Sequence, residues 1–183
     1  EQDLQAGIIR AVGTALERFD EDALRMMRAL RFASQLGFEI ESQTFEAIGQ
    51  LAPNLSYVSI ERIRIELSKL MQGDYLGTSY KALTESGLCA YLLSMEQVDA
   101  LSVWQQVYET LAAQIAAGIA RDERLVWWAL VKALGLDSAQ ARAFLRDWKH
   151  SNPFIKDVSD LLDLDQAFAA GPLDAWQLYQ MPA

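Results

Sequence analysis

Residues 18–32 read Arg18-Phe19-Asp20-Glu21-Asp22-Ala23-Leu24-Arg25-Met26-Met27-Arg28-Ala29-Leu30-Arg31-Phe32, with Asp22, Arg25, Arg28 and Arg31 at every third position. In a helix each step of three shifts the side chain by about 60°, so these four fan over one side. Ala23, Met26, Met27, Leu30 and Ala33 occupy the other, where the two methionines read as core. Asp20 is expected as the N-cap, Glu21 and Asp22 put acid into the first turn, and Gly37 stops the helix after Leu36.

Glu21 can pair with Arg25 four residues on, whereas Arg28 and Arg31 have no acid at that spacing. The face is therefore unfavourably positive unless something anionic lies on it, such as a triphosphate or a nucleic-acid backbone. Asp22 adds an acceptor for an exocyclic amine, and Arg25 a donor to ring nitrogens and carbonyls, so the two could read a base edge. The same spacing also describes an acid-capped helix with a solvated arginine face, and spacing alone leaves both readings open. A two-metal carboxylate site is excluded, because consecutive acids on one helical turn point in different directions.

Working outward, Gly7-Ile8-Ile9-Arg10-Ala11-Val12-Gly13 is a short β-branched run between glycines and reads as a strand or its remnant. Every later segment reads helical: 42–51 ending before Pro53, 60–71 capped by Ser59 with Gly73 after it, and 78–86 closed by Gly87. Further helices are expected near 95–117, 122–134, 138–149 and 153–169, which makes the fold class all-α with a strand remnant at the N-terminus. In Ser59 to Lys69, Arg62 with Glu66 and Glu66 with Lys69 have intrahelical ion-pair spacing. This segment is expected to brace the first helix, with Glu61 or Glu66 orienting one of its arginines. The alanines at 112, 113, 116, 117 and 120 suit close helix packing.

The chain has 183 residues, 51% of them hydrophobic, enough for one large core or two small ones. No run approaches the roughly 20 apolar residues of a membrane helix, and residues 1–7 lack a signal peptide's basic start, so a cytoplasmic location is expected. One cysteine, Cys89, excludes an intrachain disulfide, and one histidine, His150, leaves too few ligands for a zinc site. No metal-binding residues are expected here. A nucleophile-histidine catalytic arrangement would need His150 as its base, and its surroundings read as a helix end. The net charge of −9 opposes indiscriminate nucleic-acid binding. Charge is uneven, however: between 132 and 156, Lys132, Arg142, Arg146, Lys149 and Lys156 face only Asp137 and Asp147. Trp148 lies between Arg146 and Lys149 and is the tryptophan expected nearest to RNA. The chain opens on Glu1 rather than methionine and reads as part of something longer.

The stretches 7–13, 18–38 and 58–69, with Gly87-Leu88-Cys89-Ala90-Tyr91-Leu92 and more loosely Phe144 to Lys149, resemble bacterial class II tRNA nucleotidyltransferases of the CCA-adding type and their poly(A) polymerase relatives. The similarity is densest over 7–92. It implies the end of a head domain at 1–16, a nucleotide-selecting neck at 17–73, a body at 74–150, and the end of the body or start of a tail at 151–183. It further implies that Glu21, Asp22 and Arg25 form the family's Glu-Asp-x-x-Arg element, which selects CTP and then ATP by hydrogen bonds from protein in place of template. Arg28 and Arg31 would be further nucleotide-binding positions. Glu21 would hold the turn, and Glu61, Arg62 and Glu66 would support the helix. The partners implied are CTP, ATP and the tRNA 3′ end, with Lys132, Arg142, Arg146 and Lys149 as candidate tRNA contacts. The Mg2+-binding carboxylates of the family's head have no counterpart here, so these residues alone are expected to be inactive. A poly(A) polymerase, a CC- or A-adding relative and a noncatalytic helical interaction module are the competing readings.

Overall fold

The computed structural model describes residues 2–93 and 99–169. Helix α1 (Gln2–Ala6) leads through Gly7 into strand β1 (Ile8–Ile9), which pairs in parallel with β2 (Glu39–Ile40). Ile8-Ile9 is therefore a strand as expected. Its partner was not expected, because two residues are too few to show an alternating pattern. Glu39 and Glu41 donate their amides to the Gly7 and Ile9 carbonyls at 2.9 and 3.0 Å.

Where one helix was expected from Asp20, there are two: α2 (Ala15–Glu21) and α3 (Leu24–Leu36). Asp22 sits between them in an extended conformation. Its Oδ1 accepts from the Leu24 amide at 3.2 Å while its carbonyl accepts from Arg25 N–H at 3.0 Å. Asp22, rather than Asp20, thus satisfies the orphan amides that start α3, as short acidic side chains do at helix starts. Gly37 closes α3 in the left-handed region, φ 69°, donating to Ala33 O at 2.9 Å.

After β2 come α4 (Ser42–Leu51), a 3-10 turn (Ala52–Tyr57) that absorbs Pro53, α5 (Ile60–Met71), α6 (Leu76–Glu85) and α7 (Cys89–Leu92). Then follow α8 (Ala100–Ala116), α9 (Glu123–Ala133), α10 (Ser138–Asp147) and α11 (Asn152–Ala169). The expected helical start at 95 and the tail beyond 169 lie outside the described residues. No described helix is long and apolar enough to cross a membrane.

Helix α3 packs on α5 and α6, α2 on α4, α8 on α6 and α9, and α11 on α9 and α10. Met26, Met27 and Leu30 are fully buried and join Ile48, Leu55, Leu67 and Leu70 in a core continuous with Trp104, Trp127, Leu145 and Val158. Trp127 links the two halves: its Nε1 donates to Ser68 Oγ on α5 at 3.0 Å, and Trp148 meets it edge-on at 4.9 Å. Trp148 is buried and does not form the RNA-facing surface expected of it. Most of the 112–120 alanines likewise face solvent rather than a packed neighbour, since α8 turns Val103, Trp104, Val107 and Leu111 to the core.

Candidate functional site

The break at Asp22 leaves its carboxylate at the start of α3, bonded to Arg62 and within the electrostatic reach of Arg25. Asp22 is partly exposed and keeps Oδ2 2.9 Å from Arg62 Nη2, which reaches over from α5. Desolvation pushes its carboxyl upward. The Arg62 hydrogen bond, the Leu24 amide and the charges of Arg62 and Arg25 outweigh that and hold it below the usual carboxylate range. Asp22 is therefore an ionised acceptor at neutral pH, and two hydrogen bonds leave part of its capacity for a ligand.

Arg25 uses Nη1 to reach the Arg18 carbonyl at 2.8 Å and Glu21 Oε2 at 2.6 Å. Glu21 also takes Arg18 Nη1 at 2.6 Å, so it ties the end of α2 to the start of α3. The Arg25 hydrogen bond, with the charges of Arg18 and Arg25, lowers the Glu21 carboxyl. A guanidinium has five N–H groups, and only Nη1 of Arg25 donates to the described residues.

The four residues of the fan are not equivalent. Arg31 Nε lies 2.9 Å from Glu66 Oε2, and both side chains are largely buried between α3 and α5. Arg31 also covers the Phe32 ring at 4.3 Å. Arg31 has no acid at i±4 on its own helix, but Glu66 of α5 supplies its counter-charge, the bracing expected of the 59–69 segment. Arg28 is exposed and has no ion pair among the described residues. The intrahelical pairs expected within α5 do not form, because Arg62 turns to Asp22 and Glu66 to Arg31. Glu61 is exposed and pairs with none of the described residues.

The structure thus gathers Asp22, Arg25, Glu21 and Arg62, sets Arg28 further along α3, and withdraws Arg31 into the α3–α5 seam. Arg18 belongs to the cluster through its carbonyl and through its guanidinium on Glu21, and was missed; the i,i+3 spacing of Arg18 and Glu21 was the signal that could have found it. Of the cationic window, Lys132 is 2.9 Å from Asp165 and Lys156 2.6 Å from Asp160, both acids lying on α11. Arg142, Arg146 and Lys149 remain exposed without ion pairs among the described residues. The positive patch is accordingly narrower than the sequence window.

Two family models match the chain: "Probable RNA and SrmB- binding site of polymerase A" over residues 37–100, and "tRNA nucleotidyltransferase domain 2" over 120–182. The CCA-adding enzyme of Latilactobacillus sakei is 40% identical over 97% of this chain, and that of Streptococcus mutans 38% over 99%. In each case the chain spans 43% of the relative's length. The Bacillus stearothermophilus CCA-adding enzyme, solved in complex with CTP, superposes with a TM-score of 0.73 at 35% identity, over 99% of this chain and 44% of that one. The chain belongs to the tRNA nucleotidyltransferase and poly(A) polymerase family, whose helical neck and body region it carries.

Proposed function

We propose that the intact protein adds C, C and A without a template to tRNA 3′ ends, using CTP and ATP, and that Asp22 and Arg25 choose the base. The observation that carries this is the Asp22–Arg25 pair at the α2–α3 junction, braced by Arg62 and Glu21. Cytosine and adenine both present an exocyclic amine beside an unprotonated ring nitrogen. An ionised carboxylate accepts from the first, and a guanidinium donates to the second. Uracil and guanine present the reverse, a carbonyl beside a ring N–H, and would leave both protein groups facing like partners. Buried polar groups left unpaired discriminate strongly.

In this reading residues 17–73 form the neck, 74–150 the body, 1–16 the close of a catalytic head and 151–183 the approach to a tail. Arg28 is suited to the triphosphate, and Arg31 acts by fixing α3 against α5. Arg142, Arg146 and Lys149 are the tRNA contacts, and Lys132 is a lesser one because Asp165 holds it. Among the described residues no group of three or more His, Cys, Asp or Glu could hold a metal ion. By the family resemblance the Mg2+ of the reaction belongs to the head, and what these residues supply is base choice and support for the RNA; by themselves they are inactive. The test is extension of a tRNA lacking its CCA end by the intact protein with each nucleotide and with mixtures. Addition that stops after CCA supports the proposal. An open adenosine tail moves the protein to the poly(A) polymerases, and no incorporation points to a noncatalytic module.

A further inference from the structure

A cleft of about 590 Å³ opens where α5 meets the start of α9 and the turn between α10 and α11. Arg64, Ser68, Lys69, Glu123, Lys149 and His150 line it. Arg64 and Ser68 lie about 160° round α5 from Arg62 and Glu66, so the helix serves α3 with one face and this cleft with the other. Three lining side chains are cations and one, Glu123, is an anion whose Oε1 already accepts from Ser68 Oγ at 2.7 Å. In a chain of net charge −9, that is a local positive excess.

The floor is built rather than incidental. His150 is 8% exposed, stacked on Phe154 at 4.2 Å and edge-on to Trp127 at 4.3 Å. Its Nδ1 lies 3.3 Å from Arg64 Nη1. A guanidinium only donates, so Nδ1 accepts and the neutral ring carries its proton on Nε2. That N–H is a buried donor without a partner among the described residues, and Arg64 Nε is another. Lys149 adopts φ 59°, the left-handed position just past a helix end that glycine ordinarily takes, here occupied by a long cation.

We propose that this cleft holds a backbone phosphate of the RNA substrate, with Lys69 and Lys149 at its rim, Arg64 at its floor, and His150 as the positioning residue that fixes the Arg64 guanidinium. The proposal rests on the reading of the protein as one that acts on tRNA, and deepens it by joining Lys149, already read as a tRNA contact, to Lys69, Arg64 and His150 in one phosphate site. Phosphate oxygens suit the arrangement because they accept from several donors at once and are well matched to a planar guanidinium.

The test uses the intact protein and a tRNA lacking CCA, with affinity measured across a series of salt concentrations for wild type, Lys69→Gln, Lys149→Gln and the double variant. Both lysines are exposed and unpaired among the described residues, so their loss leaves the fold in place. Each is expected to lower the slope of log affinity against log salt by about 0.7 to 0.9. The double variant should lose roughly tenfold in affinity at fixed salt while CTP affinity holds. His150→Gln, which keeps an acceptor for Arg64, should retain more tRNA affinity than the similarly shaped but apolar His150→Phe, a difference that a merely structural ring would not give. Unchanged tRNA affinity and slope in the double variant overturn the proposal. So does weakened CTP binding with tRNA binding intact, which would give the cleft to a nucleotide triphosphate. If the variants lose slope but the wild-type protein does not extend tRNA, the cleft stands and the CCA-adding reading falls.

Discussion

Arg62 Nη2 sits 2.9 Å from Asp22 Oδ2 across 40 positions of sequence, and this bond aims the carboxylate at the junction of α2 and α3. Arg62 is half exposed, so the pair adds only about 0–1 kcal/mol to stability. Its effect should appear in selection instead. Arg62→Ala is expected to raise UTP and GTP incorporation relative to CTP and ATP with little change in melting temperature, and Arg62→Lys should restore only part of the preference. A melting temperature that collapses while selectivity holds would make Arg62 a structural brace.

The Arg31–Glu66 pair behaves differently because it is shielded, with side-chain exposures of 13% and 12%. Removing one partner leaves the other charge buried without compensation, at a cost of about 3–5 kcal/mol. Glu66→Ala should therefore unfold at markedly lower denaturant, and Arg31→Met combined with Glu66→Leu should recover much of the loss. Equal destabilisation by the single and double variants in chemical denaturation would contradict this.

Gly73, just past the end of α5, lies tight against Ser34 of α3. A Cβ there would fall on Ser34 Oγ and within 2.6 Å of the Ser34 carbonyl oxygen. Ser34 is itself buried and donates to Leu70 O at 2.5 Å, so it has no room to move. Gly73→Ala should cost about 1–3 kcal/mol, the usual penalty of overpacking, read as a lowered unfolding midpoint. An unchanged midpoint would show that the α3–α5 contact is looser than this.

The sequence carried the helices well wherever a periodic apolar face met a clear stop. The 42–51 and 60–71 segments match their helices, and Gly37 ends α3 as its position suggested. It failed where the decisive partner is distant. Nothing in Asp20-Glu21-Asp22 tells which acid caps α3; that depends on the chain turning at Asp22 so that Leu24 N–H meets its side chain. Arg62 and Glu66 have ideal spacing for each other, yet Asp22 and Arg31 take them, because pairs that bridge two packed helices replace the solvated intrahelical one. The residue types at Asp22 and Arg25 were legible, and so was the bracing of α3 by the 59–69 segment, but which side chain each brace takes was not.

His150 is the chain's one histidine and is buried neutral. Desolvation, with the charge of Arg64, lowers its pKa from 6.5 to about 3. Above pH 6.5 neither the folded nor the unfolded state holds the extra proton, so the group contributes nothing. As pH falls through 6.5 the unfolded chain takes up a proton that the folded ring refuses, and stability declines by up to about 1.4 kcal/mol per pH unit toward pH 3. The Cε1 proton should keep its neutral-ring NMR shift down to about pH 4. A midpoint near 6.5 would place His150 in solvent.

The most direct measurement of the central claim is nucleotide choice by the intact protein carrying Asp22→Ala or Arg25→Ala on a tRNA that lacks its CCA end. If the pair reads the base, wild type incorporates from CTP and ATP only, and both variants lose that preference by roughly tenfold or more while still melting near the wild-type temperature. Variants that keep full CTP and ATP preference would show that base choice is made elsewhere.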